Sequence, residues 1–274
     1  MKLTDKQIKK FQKTIWEHYK HNGRHYLPWR KTRNAYRILV SEIMLQQTQV
    51  ERVIPKYREF IRIFPTLTAL ANAPLSDVVS VWQGLGYNRR AVSLRKTASV
   101  IANDYSGRIP RSPDLLENLP GIGHATANSI AAFAFNRPVT FVETNIRTVY
   151  IHSFLSRKRK VHDDLIITLL EQTVDTGNPR EWYYALMDYG VYLKKAKRNI
   201  NNRSAHYTKQ SPFEGSARQV RGAVIRLLTL NESMTKRGIE RSLPPSPHNL
   251  EDVLNRLIKD GLIRKVGRKY SISV

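Results

Sequence analysis

The pentapeptide Leu119-Pro120-Gly121-Ile122-Gly123 limits the architecture more than any other stretch of the chain. It runs straight into His124-Ala125-Thr126-Ala127-Asn128-Ser129-Ile130, a segment with helical composition and small side chains. Two glycines around one apolar residue permit a very tight reversal between helices. The amides of Gly121, Gly123 and the next helix's first turn, around Ala125, can then point outward. Backbone donors at a helix N-terminus grip a phosphate without reading base sequence. Taken alone, the same five residues also suit an ordinary helix–helix turn.

The remainder of residues 1–193 fits a helical fold. Short periodic segments follow one another with no sustained strand alternation. Pro and Gly punctuate them at Leu27-Pro28, Phe64-Pro65, Ala73-Pro74, Ile109-Pro110 and Asn178-Pro179. The first of these segments is amphipathic, with Ile8, Phe11, Ile15 and Tyr19 on one face. Thr66 and Ser112-Pro113 read as helix starts. Residues 194–216 form a basic linker or extended segment, and the basic run continues to 222. Lys194, Lys195, Lys197, Arg198, Arg203, Lys209, Arg218 and Arg221 face the single acid Glu214, with Asn199, Asn201 and Asn202 suited to turns. Residues 217–274 read as a small second domain. Helical periods at Ala217–Leu230, Thr235–Leu243 and Asn249–Asp260 are followed by a basic hairpin turning at Gly267-Arg268. That order is winged-helix-like, an architecture used on DNA and equally able to serve as a protein-contact or structural module.

Charge and cysteine content narrow the function. Lys and Arg number 46 against 22 Asp and Glu, a net +24, and such a field draws polyanions. Double-stranded DNA is the expected partner. No long apolar run suggests a membrane, and a monomer is expected. The sequence has no cysteine, which excludes disulfides, thiolate zinc sites and cysteine-held iron–sulfur clusters. The N-terminus lacks the apolar stretch of a secretory signal, so a cytoplasmic, nucleoid-associated or nuclear location is expected.

Two carboxylates stand out. Glu42 lies among Leu39, Ile43 and Met44, where partial desolvation suits a general acid; the alternative is a surface glutamate on the polar face. The cluster Gln46-Gln47-Thr48-Gln49 follows it, and such amides can fill the space a displaced base leaves. Glu143 emerges from the apolar stretch 137–142 with Asn145 and Arg147 close behind. It is either a charge beside a helix N-terminus or one positioned for chemistry.

The blocks Leu27-Pro28-Trp29-Arg30, SEIMLQQTQVERVIPKY (41–57), FPTLTALANAPL (64–75), VWQGLGYNRRA (81–91), LPGIG (119–123) and ALMDYG (185–190) share one register over roughly residues 5–193. In them the chain resembles the MutY-type adenine DNA glycosylases of the helix-hairpin-helix glycosylase superfamily. The resemblance implies a mainly α, helix-hairpin-helix glycosylase fold and excision of adenine opposite 8-oxoguanine or guanine in base excision repair. By the same carry-over Glu42 protonates adenine at N7, and Glu143 stands where the family's aspartate stabilises the sugar cation. Gln47 and Tyr87 wedge into the duplex, and Asn145 follows the second carboxylate. Arg30, Gln46, Gly121, Gly123 and Ala125 join the expected DNA contacts.

The departures are specific. Glu143 is one methylene longer than aspartate. Ala125 replaces the lysine of endonuclease III relatives, which implies a monofunctional enzyme without Schiff-base strand cleavage. The superfamily's iron–sulfur loop should follow Tyr192, where no cysteine exists, and residues 217–274 stand where the family's 8-oxoguanine-sensing domain would be. No cofactor is expected beyond a monovalent cation that superfamily hairpins hold on carbonyls, here near Leu119 and Ile122. The competing readings are a T:G or U:G mismatch glycosylase and a non-catalytic DNA-binding protein.

Overall fold

The computed structural model describes residues 1–197, 200–210 and 212–273, so the expectations placed on Arg198 and Asn199 lie outside the described residues. Up to residue 197 the periodic segments are helices: α1 (Asp5–Asn22), α2 (Ala35–Leu45), α3 (Val50–Ile63), α4 (Leu67–Asn72), α5 (Leu75–Trp82), α6 (Arg89–Asp104), α7 (Pro113–Glu117), α8 (His124–Phe135), α9 (Thr144–Phe154), α10 (Asp163–Thr173) and α11 (Pro179–Ala196). Local chemistry sets their ends. Thr4 and Gln7 form a capping box on α1, and Thr66 accepts from the Ala69 amide to start α4. Pro113 and Pro179 occupy first turns, where a missing N–H has no consequence. Asn136, in the left-handed region, closes α8.

The chain forms two compact units that interleave along the sequence. The first gathers Met1–Leu39, Pro110–Asn118 and Ile122–Lys209. Its centre is α11, against which α1, α8 and α9 pack. α1 contributes the buried Phe11, Ile15 and Tyr19 from the expected face. The core is rich in rings: Phe133 stacks on Tyr184 at 4.4 Å and Phe141 on Tyr183 at 4.3 Å, beside the buried Trp182 and Tyr150. Rings of this size carry much of the apolar burial that stabilises such a core.

The second unit takes Val40–Ile109, Leu119–Gly121 and Gln210–Val274. Trp82 is fully buried, with Phe60 edge-on at 6.0 Å, and α4 and α5 both pack on α6. The same unit holds α12 (Ala217–Leu230), β1 (Met234–Thr235), α13 (Lys236–Ser242), α14 (Leu250–Lys259), β2 (Ile263–Val266) and β3 (Lys269–Ile272). The three strands are antiparallel in the order β1-β3-β2, with Tyr270 opposite both Met234 and Lys265. β1 has only two residues, too few to show alternation in sequence. α12 packs against α5 of the same unit. Among the described residues no helix is long and apolar enough to cross a membrane.

Candidate active site and DNA-contact elements

Glu143 is itself the N-cap of α9. Its Oε1 accepts from the Asn145 and Ile146 amides at 2.7 Å each, and its Oε2 accepts from Asn145 Nδ2 at 3.0 Å. Asn145 is held in turn, because Lys194 Nζ donates to its Oδ1 at 2.7 Å. The carboxylate therefore points in one fixed direction at the positive end of a helix. Crowding around the Lys194 ammonium lowers its pKa; Glu143 opposes that shift and Arg147 adds to it. Arg147 is occupied by a two-pronged pair with Asp163 at 2.8 and 2.7 Å. The close fit of α11 against this turn depends on Gly190, where an added Cβ would stand 2.4 Å from the Asn145 carbonyl oxygen.

Glu42 is half-buried on α2, between the buried Ser41 and Ile43. The α2 C-terminus is gathered by a residue to which sequence reasoning assigned no role. Arg90 Nη1 donates to the carbonyls of Ile43, Met44 and Gln46 at 2.9, 2.9 and 2.6 Å. Its Nη2 donates to Thr48 Oγ1 at 2.9 Å and to the Gly86 carbonyl at 3.0 Å. The guanidinium also lies over the rings of Trp82 and Tyr87. Burial lowers its pKa to about 10, with Tyr87 opposing and Arg52 adding to the shift, so it remains charged at neutral pH.

Arg90 thus ties the Gln46–Thr48 turn to the Leu85–Tyr87 turn. Gln47 and Tyr87, the two expected wedge residues, are both exposed and both have positive φ, 53° and 49°. The Tyr87 hydroxyl is met by Gln210 and, at 3.5 Å, by Arg218 Nη1. Gln46 Nε2 donates to the Gly121 carbonyl at 3.4 Å.

The two hairpin glycines are not equivalent. Gly121 has φ 77°, and a Cβ there would meet Ser93 Cβ at 2.5 Å. Gly123 has φ −96° as the N-cap of α8, and an added Cβ there would meet no heavy atom within 4 Å. Only Gly121 is therefore demanded by backbone geometry. Ala125 lies exposed in the first turn of α8.

One expected contact must be corrected. Arg30 is paired two-pronged with Asp188 at 2.7 and 2.9 Å, lies 4.4 Å over the Tyr184 ring, and leaves 4% of its side chain exposed. Its guanidinium serves the interior and is not a DNA contact. Burial opposes the charge on Asp188, yet Arg30 and Arg24 together hold its pKa below the ordinary value.

The superfamily's iron–sulfur cluster does not fit this chain, which offers no thiolate. After α11, the described segment is instead joined by its own polar groups. Val161 pairs with this strip on both sides: its amide donates to the Arg203 carbonyl and its carbonyl accepts from the Ala205 amide, each at 2.8 Å. Thr148 Oγ1 donates to Asn201 Oδ1 at 2.8 Å.

Comparison with known proteins agrees with this arrangement. Residues 40–173 match the family model of the HhH-GPD superfamily of base excision DNA repair proteins. An adenine DNA glycosylase of Mycolicibacterium smegmatis is 34% identical over 265 residues, covering 89% of each chain. One from Buchnera aphidicola subsp. Baizongia pistaciae is 37% identical over 184 residues, covering 67% of this chain and 52% of that protein. The chain thus spans about half the length of the Buchnera relative. In solved structures, a thermostable thymine-DNA glycosylase superposes with a TM-score of 0.63 at 27% identity, over 72% of this chain and 91% of that one. The helical order, the hairpin and these relatives together place the chain in the HhH-GPD superfamily of base excision DNA repair proteins, within the adenine DNA glycosylase family.

Proposed function

We propose that this protein removes adenine mispaired with 8-oxoguanine or guanine from duplex DNA, as a monofunctional glycosylase. In this reading the nucleotide is turned out of the stack before reaction. Glu42 donates a proton to adenine N7, the C1′–N9 bond breaks, and its electron pair leaves with the base. Glu143 offsets the positive charge that develops on the sugar, and water adds at C1′ with loss of a proton. The observation that carries the reading is the fixed direction of the Glu143 carboxylate, set by two amides and the Asn145 side chain. Gln47 and Tyr87 supply the groups that enter the duplex, Gln46 helps fill the space the displaced base leaves, and Gly121, Gly123 and the Ala125 turn offer their amides to phosphate. No thiolate cluster takes part, and a hairpin cation belongs to this reading only as a structural support. The helix–strand–helix–helix–strand–strand order of the C-terminal elements is winged-helix-like and is assigned to DNA.

The test uses duplexes carrying A:8-oxoG, A:G, T:G or U:G, treated with hot alkali after incubation. Cleavage confined to adenine strands is the expected result. The likeness to a thymine-DNA glycosylase makes T:G the arm that most directly opposes it. Glu42→Gln is expected to lose excision while still binding the duplex; excision at the wild-type rate would remove Glu42 from the mechanism.

A further inference from the structure

The first compact unit contains a concavity of about 570 Å³ ringed by Arg33, Arg111, Arg137 and Arg180, with Glu181 and the Asn136 turn completing its wall. We propose that it is a binding site for a soluble anion bearing adjacent phosphoryl groups, such as a diphosphate.

Four guanidiniums against one carboxylate leave three uncompensated positive charges in one concavity. Among the described residues none of the four arginines forms an ion pair with a carboxylate. Glu181 is itself engaged, accepting from the Tyr19 hydroxyl at 2.6 Å. Arg111, Arg137 and Arg180 are nonetheless held in place. Arg111 lies 5.6 Å over the Phe135 ring, and Arg137 Nη1 donates to the Arg111 carbonyl at 3.3 Å. The Arg180 amide donates to Asn136 Oδ1 and its Nη2 to the Ala134 carbonyl, both at 3.1 Å.

Arg180 Nε is buried and has no hydrogen-bond partner. Burial lowers the Arg180 pKa; Tyr184 and Glu181 oppose that shift, whereas the charge of Arg33 adds to it. A nearby anion favours the charged form of such a group. Guanidinium forks match phosphate oxygens two at a time, and a diphosphate offers enough charge to cancel the excess where a monoanion does not.

The position separates this concavity from the hairpin. It lies at the C-terminal end of α8, whose N-terminal turn belongs to the hairpin. The 12 residues of α8 put about 18 Å between those ends. A concave site of this volume also suits a compact ligand better than a passing DNA backbone.

The experiment titrates the full chain with sodium pyrophosphate by calorimetry at about 150 mM salt. It compares wild type, Arg33→Gln/Arg111→Gln, and a control, Lys9→Gln/Lys10→Gln, that removes the same charge from the exposed face of α1. Arg33 and Arg111 are exposed, so their replacement leaves the fold intact. One-to-one binding that the arginine pair weakens more than tenfold, with the lysine control and duplex affinity unchanged, is the expected result. Equal losses in both variants would mean that the general basic field holds the anion, and would overturn the proposal. So would absence of pyrophosphate binding alongside a tenfold loss of duplex affinity in the arginine variant, which would assign the phosphate contact to DNA.

Discussion

Glu143 carries one methylene more than the aspartate of the resembling family, and the added reach lets it serve two amides and one side-chain amide together. Capping and chemistry are separable by experiment. Glu143→Gln keeps an acceptor at the cap, so the stability loss should stay within about 1 kcal/mol. Removing the charge should lower single-turnover excision by about 10²–10³-fold, the range for losing one preorganised electrostatic contact. A variant still excising within about threefold of wild type would place the cation-stabilising charge elsewhere. The sequence placed Glu143 at a helix start with Asn145 close behind, and the structure has both there, hydrogen-bonded to each other. The sequence could not mark Lys194, which meets Asn145 across 49 residues and reads in isolation as part of a basic run. Arg30 misled for the converse reason: a basic residue looks like a phosphate contact until its carboxylate partner, 158 residues away, is known.

At the scale of elements, α9 and α11 form the support of the carboxylate, and Gly190 sets how closely they approach. A mid-helix glycine normally costs about 1 kcal/mol relative to alanine, so its presence in ALMDYG signals a close neighbour. Gly190→Ala should reverse the usual gain from helix propensity, because its Cβ would stand 2.4 Å from a backbone oxygen that cannot rotate away. A loss of about 1–3 kcal/mol in urea unfolding is expected, with excision falling beyond what the unfolded fraction explains. Unchanged activity in a destabilised protein would show that the α9 turn absorbs the shift. Helices and hairpin strands of four residues or more were legible from period and punctuation. The link between the Gln46–Thr48 and Leu85–Tyr87 turns was not, because it consists of one arginine meeting carbonyls, which carry no side-chain signature.

For the molecule as a whole, the +24 charge should make duplex binding steeply dependent on salt. With about six phosphates neutralised, affinity should fall roughly 10³-fold between 50 and 200 mM salt. Fluorescence anisotropy with a non-specific duplex measures this directly, and flat binding would deny the backbone contacts their role. The draw toward a polyanionic partner was legible here because net charge is a bulk property. The interleaving of the units was not: Val40–Ile109 clusters with Gln210–Val274 through packing that no shift in composition announces.

Gln47 and Tyr87 hold a backbone conformation that glycine adopts freely and other residues adopt at about 1–2 kcal/mol each. Two selections acting on this chain would therefore pull in opposite directions. A library screened for resistance to heat should enrich glycine at both positions, whereas the same library screened for suppression of mutation should discard those clones.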